Sequence, residues 1–413
     1  LCDSVSRKSI MRLLWLLMSL LIITKTARLA NFGICANFNN MLGLRTWIEI
    51  DKKAIAENYK TFRKLAGVNC SLMAVVKSNA YGHGLIVFSK AAEKQGVDWF
   101  GADSIVEALA LRKNGIKKPI LVLGHTLPER INEAALANIG LTISNHIALR
   151  ALGKLKNNFP KIHLKIDTGM HRQGFYVENL PDVISFLKSK LPQVKIEGIY
   201  THFAAAKNPA FPSNTSHQIE EFKKAASIVE SAGFKPIKHA AATSGAVAFP
   251  ESHFDMVRIG IGLYGLWPST EAKLAFSDKI KLAPVLSWRT IIGEIKEVKK
   301  GGRVGYDFTE KLNRNSRIAI LPVGYWHGYP RALSSVGRVL IGGKRAKVLG
   351  RVSMDMTAVD VTDINNAKVG DVVTLIGRDG KDRITAEELA ELSGTINYEL
   401  ITRINPLIER VYK

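Results

Sequence analysis

The chain has 413 residues, room for two or three domains with a sizeable core, and its 46% apolar and 23% charged content is that of a globular protein. Its 58 lysines and arginines against 36 acidic residues give a formal charge of +22. The basic residues are scattered among acidic ones, no five stand in a row, and no zinc-finger or RNA-recognition signature occurs, so a solvated basic surface is expected and a nucleic-acid partner is not.

Residues 1–44 read as a leader or a non-native extension. Arg7, Lys8 and Arg12 precede an apolar run, Leu13–Ile23, that is short for a membrane span and resembles the apolar region of a signal peptide. No small-x-small cleavage site follows, the chain begins with leucine, and Met11 and Met41 are alternative starts. An extension is therefore favoured slightly over an export signal. Cys2 and Cys35 lie in this leader, which leaves Cys70 alone in the remainder, unable to form an internal disulfide. A cytoplasmic place of action is expected, with export the alternative if the leader is genuine, and no membrane partner.

From residue 45 to 282, short apolar strands alternate with amphipathic helical stretches. After a first strand at 47–50, strands are predicted at 72–76, 98–101, 119–123, 141–144, 162–166, 195–200, 237–241 and 257–261. Helical patterns such as Ile105–Leu111 and Ile219–Ala226 separate them. Eight strands in this alternation predict a (β/α)₈ barrel. An open doubly wound sheet is the alternative, but no Gly-x-Gly-x-x-Gly follows the first strand.

Lys77 ends the apolar run Leu72–Val76 and is followed at once by Ser78-Asn79-Ala80-Tyr81-Gly82-His83-Gly84. An ammonium buried at a strand end tends to shed its proton, and such amines serve as Schiff-base nucleophiles. A strand-end lysine snorkelling to solvent is the commoner fate when this segment is taken alone. In a barrel, the C-terminal strand ends form the active rim. That rim would carry Lys77, His125, Asn145, Asp167, His202, Thr243 and the Arg258–Gly262 segment. No pair of them has metal-ligand spacing within one element, so no metal is expected.

Residues 283–413 change texture to a mostly β domain, with strand patterns at 285–298, 317–323, 337–349, 352–361 and 371–376. Gly342-Gly343 marks a hairpin. Thr385 and Glu388 form the pattern of a capping box ahead of a helix at 385–392, and the tail 395–412 reads as strand.

Several segments resemble, in order, the alanine racemase family. They are Ala74–Gly84, Lys165–Gly174, Gly198–Phe203, Arg258–Gly265, Arg303–Tyr306, Pro322–Tyr325 and Gly350–Asp355. The likeness runs from about residue 45 to the end. It implies a pyridoxal 5'-phosphate barrel enzyme with a C-terminal β domain, acting as a head-to-tail homodimer with shared active sites. The implied reaction is the interconversion of L- and D-alanine, an isomerase activity that supplies D-alanine for peptidoglycan.

The resemblance also implies residue roles. Lys77 would hold the cofactor and act as one base. Tyr306, from the partner subunit, would be the second base on the opposite face, since two opposed groups are the simpler route to proton removal and return. His202 and Arg258 would tune Tyr306, and Arg258 would face the pyridine nitrogen and leave it unprotonated. Tyr81, Thr243 or Ser244, Gly260 and Ile261 would hold the phosphate. Arg172 would steer the substrate carboxylate, Met354 and Tyr325 would narrow the pocket, and Lys165 matches a lysine carbamylated in many members. A tyrosine found near the C-terminus of some members is missing around Ile404-Asn405-Pro406-Leu407.

Two relatives of that family are alternatives. Barrel amino-acid decarboxylases use a Gly-Gly-Gly phosphate loop that is absent here, and broad-spectrum racemases are typically exported and disulfide-bonded. A non-enzymatic binding module would have no use for Lys77, Tyr306, His202, Arg258 and Arg172 together.

Overall fold

The computed structural model describes residues 43–208 and 210–413, so the expected leader lies almost wholly outside the described residues. Residues Arg45–Lys413 form one compact unit.

The barrel strands are β2 (Ser71–Val75), β3 (Trp99–Ala102), β4 (Ile120–Val122), β5 (Gly140–Ile143), β6 (Ile162–Lys165), β7 (Ile196–Tyr200), β8 (Ile237–His239) and β9 (Met256–Ile259). Each falls within two residues of its predicted start. They pair in parallel in the order β8-β7-β6-β5-β4-β3-β2-β9. The strands are short and buried almost throughout, as expected when side chains fill one side and helices cover the other.

The β8–β9 seam is closed by few backbone bonds. Asp255 N donates to Lys238 O (3.0 Å), Arg258 N donates to Ala241 O (2.9 Å), and Ala242 forms a single parallel bridge with Arg258. The helices between strands are capped by their sequence. Ser104 Oγ accepts from Glu107 N at the start of Ile105–Lys113, and Asn145 Oδ1 accepts from Ala148 N at the start of His146–Leu152.

β1 (Thr46–Ile50) precedes the barrel in sequence but belongs to the other sheet. It lies antiparallel to β10 (Leu286–Ile291) and parallel to β20 (Glu409–Tyr412). The remaining strands are β11 (Glu294–Val298), β12 (Arg303–Val304), β13 (Glu310–Lys311), β14 (Ser316–Leu321), β15 (Arg338–Ile341), β16 (Lys344–Leu349), β17 (Thr357–Asp360), β18 (Val372–Asp379) and β19 (Asp382–Ile384). They make an antiparallel sheet, with β12 and β13 set apart as a small hairpin. Gly342 and Gly343, both at positive φ, turn β15 into β16 as predicted.

Two predictions for this region are corrected. Thr385 Oγ1 accepts from Glu388 N (3.0 Å), but the Glu388 carboxylate binds Arg345 instead of reaching back to the cap, so only half of the capping box forms. The tail is not all strand. Asn397–Thr402 is helical, because it packs on the helix Ala386–Leu392 and on the turn after β2, and only β20 is extended.

Candidate active site

The rim of the barrel opens into a cavity of about 860 Å³. Its first wall is the turn after β2. Ser78, Asn79, Ala80 and Tyr81 all have φ between 51° and 56°, a left-handed run of four residues that are not glycine. Each such residue costs roughly 1–2 kcal/mol, and strain of this kind collects where geometry matters. Local bonds offset it. Asn79 N donates to Glu107 Oε1 (3.0 Å), Leu85 N to Asn79 Oδ1 (2.8 Å) and Gly84 N to Asn79 O (3.0 Å).

The run aims Lys77 into the cavity. Its Nζ lies 3.7 Å from Asp103 Oδ1, with 41% of the side chain exposed. The expectation of a buried Lys77 is therefore corrected, because the cavity mouth keeps the amine in contact with solvent. The buried lysine is Lys165, on the last residue of β6. Burial holds its amine well below the ordinary lysine range, and the nearby Arg258 and Arg172 push it further down.

Arg258 is the hub of the floor. Nη1 donates to His239 O (2.9 Å) and Nη2 to Thr201 O (2.7 Å) and Ala240 O (2.8 Å), so one guanidinium ties β9 to the ends of β7 and β8. Nη1 also meets His239 Nδ1 (3.1 Å), and Nη2 meets His202 Nδ1 (3.3 Å). An arginine only donates, so both imidazole nitrogens accept. His239 Nε2 must then donate to His163 Nδ1 (2.9 Å), which leaves the His163 Nε2 proton pointing toward Glu197, 3.7 Å away. Burial, with the Arg258 charge beside it, keeps His239 and His202 far below the ordinary histidine value. His163 is depressed as well, first by burial. Burial lowers Arg258 to about 10, which leaves it a cation at neutral pH. Its Nε bonds no protein group among the described residues, and Arg258 lines the cavity.

The third wall can hold an anion. The N–H groups of Gly260 and Gly262 converge on Thr243 Oγ1, each at 3.3 Å. A Cβ on Gly260 would stand 2.7 Å from Tyr81 Oη, and one on Gly262 would stand 2.8 Å from Thr243 Cγ2 and closer still to the Phe62 ring, so both positions require glycine. Thr243 is buried and its hydroxyl is taken by two amides, whereas Ser244 is half-buried on the cavity wall. Tyr81, Thr243, Ser244, Gly260 and Ile261 all line this wall.

Arg172 projects from the loop after β6. Asp167 shapes that loop, its Oδ1 accepting from the amides of Gly169, Met170 and His171, each at 3.0 Å. These bonds depress the Asp167 carboxyl although burial opposes them. Lys77, Lys165, Arg172, Lys207 and Arg258 line the cavity against only Asp103 and Glu399, so it favours an anionic or carboxylate-bearing guest.

Not every predicted residue arrives. His125 is exposed and Asn145 is spent as a helix cap, each lying past its strand end, and neither lines the cavity. Tyr306, Tyr325 and Met354 do not line it either, and are 69%, 43% and 54% exposed. They share a surface built on segment 350–356. Tyr325 N and Trp326 N donate to Ser353 O and Met354 O, and Asp307 pairs with Arg351 (3.0 Å). Phe308, Trp326 and Met356 are exposed on the same segments.

Sequence reasoning missed Asp103, Glu399 and Tyr398. Tyr398 reaches the cavity from the C-terminal helix, with its ring 6.0 Å from that of Tyr81. The strand reading of the tail hid it. Among the described residues no group of three or more potential ligands could hold a metal ion.

Comparison with known proteins agrees with the architecture. The family described as "Alanine racemase, N-terminal domain" matches residues 50–268, and "Alanine racemase, C-terminal domain" matches residues 285–412. An alanine racemase of Leptospira interrogans is 40% identical over 89% of this chain and 95% of its own length. One from Methanococcus maripaludis is 40% identical over 89% and 98%. The crystal structure of alanine racemase from Bacillus anthracis with bound L-Ala-P superposes with a TM-score of 0.85 at 36% identity, covering 90% of this chain and 95% of that one. The Clostridium difficile 630 alanine racemase gives 0.84 at 33% identity, over 90% and 96%. The chain belongs to the alanine racemase family of enzymes.

Proposed function

We propose that the cavity takes pyridoxal 5'-phosphate on Lys77 and interconverts L- and D-alanine. The observation that carries this reading is convergence. A solvent-accessible lysine amine, the Tyr81, Thr243 and Ser244 hydroxyls beside Gly260 and Ile261, and an arginine Nε with no protein partner among the described residues line one cavity. Those donors fit an aldehyde, a phosphate and a ring nitrogen respectively. Bound there, the cofactor would supply an electron sink that acidifies the Cα–H of an attached amino acid.

The chain's own groups do the rest. Tyr81 Oη, Ser244 Oγ and the Ile261 amide would hold the phosphate, together with the Thr243 hydroxyl, which accepts from the Gly260 and Gly262 amides and keeps its own proton to donate. Arg258 Nε–H donates toward the ring nitrogen. It keeps its own proton, so that nitrogen would stay unprotonated and the cofactor would be a weaker electron sink. Arg172 orients the substrate carboxylate. Lys77 Nζ takes or returns the Cα proton on one face, and the Tyr306 hydroxyl serves the other. Burial favours the neutral Lys165 amine, the form able to react with carbon dioxide, and a carbamate there would set an anion beside Arg172.

Tyr306, Met354 and Tyr325 enter from a second copy of the chain, head to tail. Their exposed apolar patch fits an interface. The D-alanine formed would serve peptidoglycan assembly. The test is direct. Purified protein loaded with the cofactor is given L-alanine, and D-alanine is measured with a stereospecific oxidase. A loaded protein that makes none sinks the reading.

A further inference from the structure

Arg410 lies on β20, outside the cavity, yet it grips the turn that carries Lys77. Its Nε and Nη2 both donate to Gly82 O, at 3.2 and 3.0 Å. Nη1 donates to Asn405 O (2.8 Å) and to Ile408 O, and Nη2 also reaches Ile404 O (3.4 Å). All its partners are carbonyls. Burial alone lowers it, to about 10, and it stays charged at neutral pH.

Gly82 closes the left-handed run and is itself pressed against the C-terminal helix. A Cβ there would stand 1.9 Å from Ile401 O. The aliphatic stem of Arg410 covers the next corner, Cγ standing 3.3 Å from where a Cβ of Gly84 would be. The run starts directly after Lys77 and ends at Tyr81, so its shape sets the spacing between the amine and the phosphate-wall phenol. Four strained residues relax unless both ends are fixed. β2 fixes one end, and the carbonyl of Gly82 is the fixed point at the other.

We propose that Arg410 is a positioning residue for Lys77, locking the left-handed turn so that Lys77 and Tyr81 hold one cofactor from both ends. The proposal rests on the reading of Lys77 as the cofactor lysine. Arg112 provides a built-in contrast. It also collects carbonyls, of Ile116, Lys118, Ala137 and Asn138, but none belongs to the cavity.

The experiment measures cofactor release from the loaded protein into a carbonyl scavenger, followed by visible absorbance, with borohydride fixation and peptide mass locating the adduct. Charge-assisted bonds to one carbonyl are worth enough that Arg410→Met should release cofactor about tenfold faster than the parent or more. Arg410→Lys, which keeps the charge but not the paired donors, should fall between them. Arg112→Met should release at the parental rate even where its melting temperature drops as far. Equal acceleration in the Arg410→Met and Arg112→Met proteins, or release from Arg410→Met within twofold of the parent, overturns the proposal. If Arg410→Met does not fold, Arg410→Lys decides, and a parental rate there overturns it. No borohydride adduct on Lys77 in the parent overturns the cofactor reading itself, and this proposal with it.

Discussion

The turn at 77–84 and the hairpin at 303–311 would carry the two bases, and they are built in opposite ways. Both are strained. The turn has four consecutive left-handed residues, and the hairpin puts Gly305, Asp307 and Phe308 at positive φ. The turn is enclosed by Glu107, Arg410 and the C-terminal helix, all within one chain. The hairpin is fastened at its base by Glu310 and near its tip by a single ion pair between Asp307 and Arg351 (3.0 Å). Glu310 accepts from Lys347 (2.9 Å) and Ser335 (2.7 Å), while Tyr306 stands 69% exposed at its tip. The turn is held entirely within one chain, and the hairpin presents Tyr306 outward. The difference teaches that strain needs local clamps where the reacting group must be fixed before assembly. It needs fewer ties where, on the proposed reading, a second chain would complete the fit.

Substitutions at the two lysine and tyrosine positions test that contrast most strongly. Lys77→Ala should lower racemisation on the order of 10⁴-fold or more and remove the visible absorbance of the bound cofactor, since attachment and one base go together. Retained absorbance at full occupancy would break the assignment of the clamped half. Tyr306→Phe should cost about 10²–10⁴-fold while leaving that absorbance intact. Its loss of Cα-hydrogen exchange should fall mainly on one enantiomer, and equal loss for both counts against separate faces. Mixing the two inactive proteins sharpens the point. If Tyr306 serves the neighbouring chain, mixed dimers hold one intact site each, and randomised mixtures should recover about a quarter of parental activity. No recovery after verified subunit exchange would place Tyr306 in its own chain's site.

Much of the barrel was legible because its strands are apolar runs bounded by turn residues, and chain order alone places their C-terminal ends on one rim. Lys77, His202 and Arg258 could be found that way, and Lys165 through its likeness to the family. The order of burial could not. A strand-end lysine beside glycines looked like the buried cation, yet Lys77 opens on solvent and Lys165 is enclosed by Tyr200 and Arg258, contacts made between strands far apart in sequence. The assignment of β1 to the second sheet was equally hidden, since its partners lie over two hundred residues away. The helix at Asn397–Thr402 was masked by residues of strand-like composition, and with it went Tyr398. His163, inside its strand, and His239, at the end of its own, are both buried and read simply as core.

The smallest of these effects is on stability, and it again separates the two halves. His83 lies under the clamped turn, against Tyr264 (4.5 Å) and Phe88 (6.1 Å). Its Nδ1–H donates to Tyr81 O (2.9 Å), and Nε2 has no partner, so a second proton would have no acceptor. Burial, aided by the Arg410 charge, lowers it from 6.5 to about 4. A histidine held neutral in the fold but free to protonate when unfolded stabilises the fold above pH 6.5. That contribution is lost as pH falls toward 4, and amounts to about 3 kcal/mol. His163, His202 and His239 are shifted in the same direction, so the parent protein falls further than this one group requires. The difference between proteins isolates His83. Urea unfolding at pH 7, 5 and 4 should show a shallower acid loss in His83→Asn than in the parent, while Tyr306→Phe, altered only on the exposed hairpin, should keep the parental slope. Parallel slopes for the parent and His83→Asn would mean that the clamped turn is not where acid first loosens the fold.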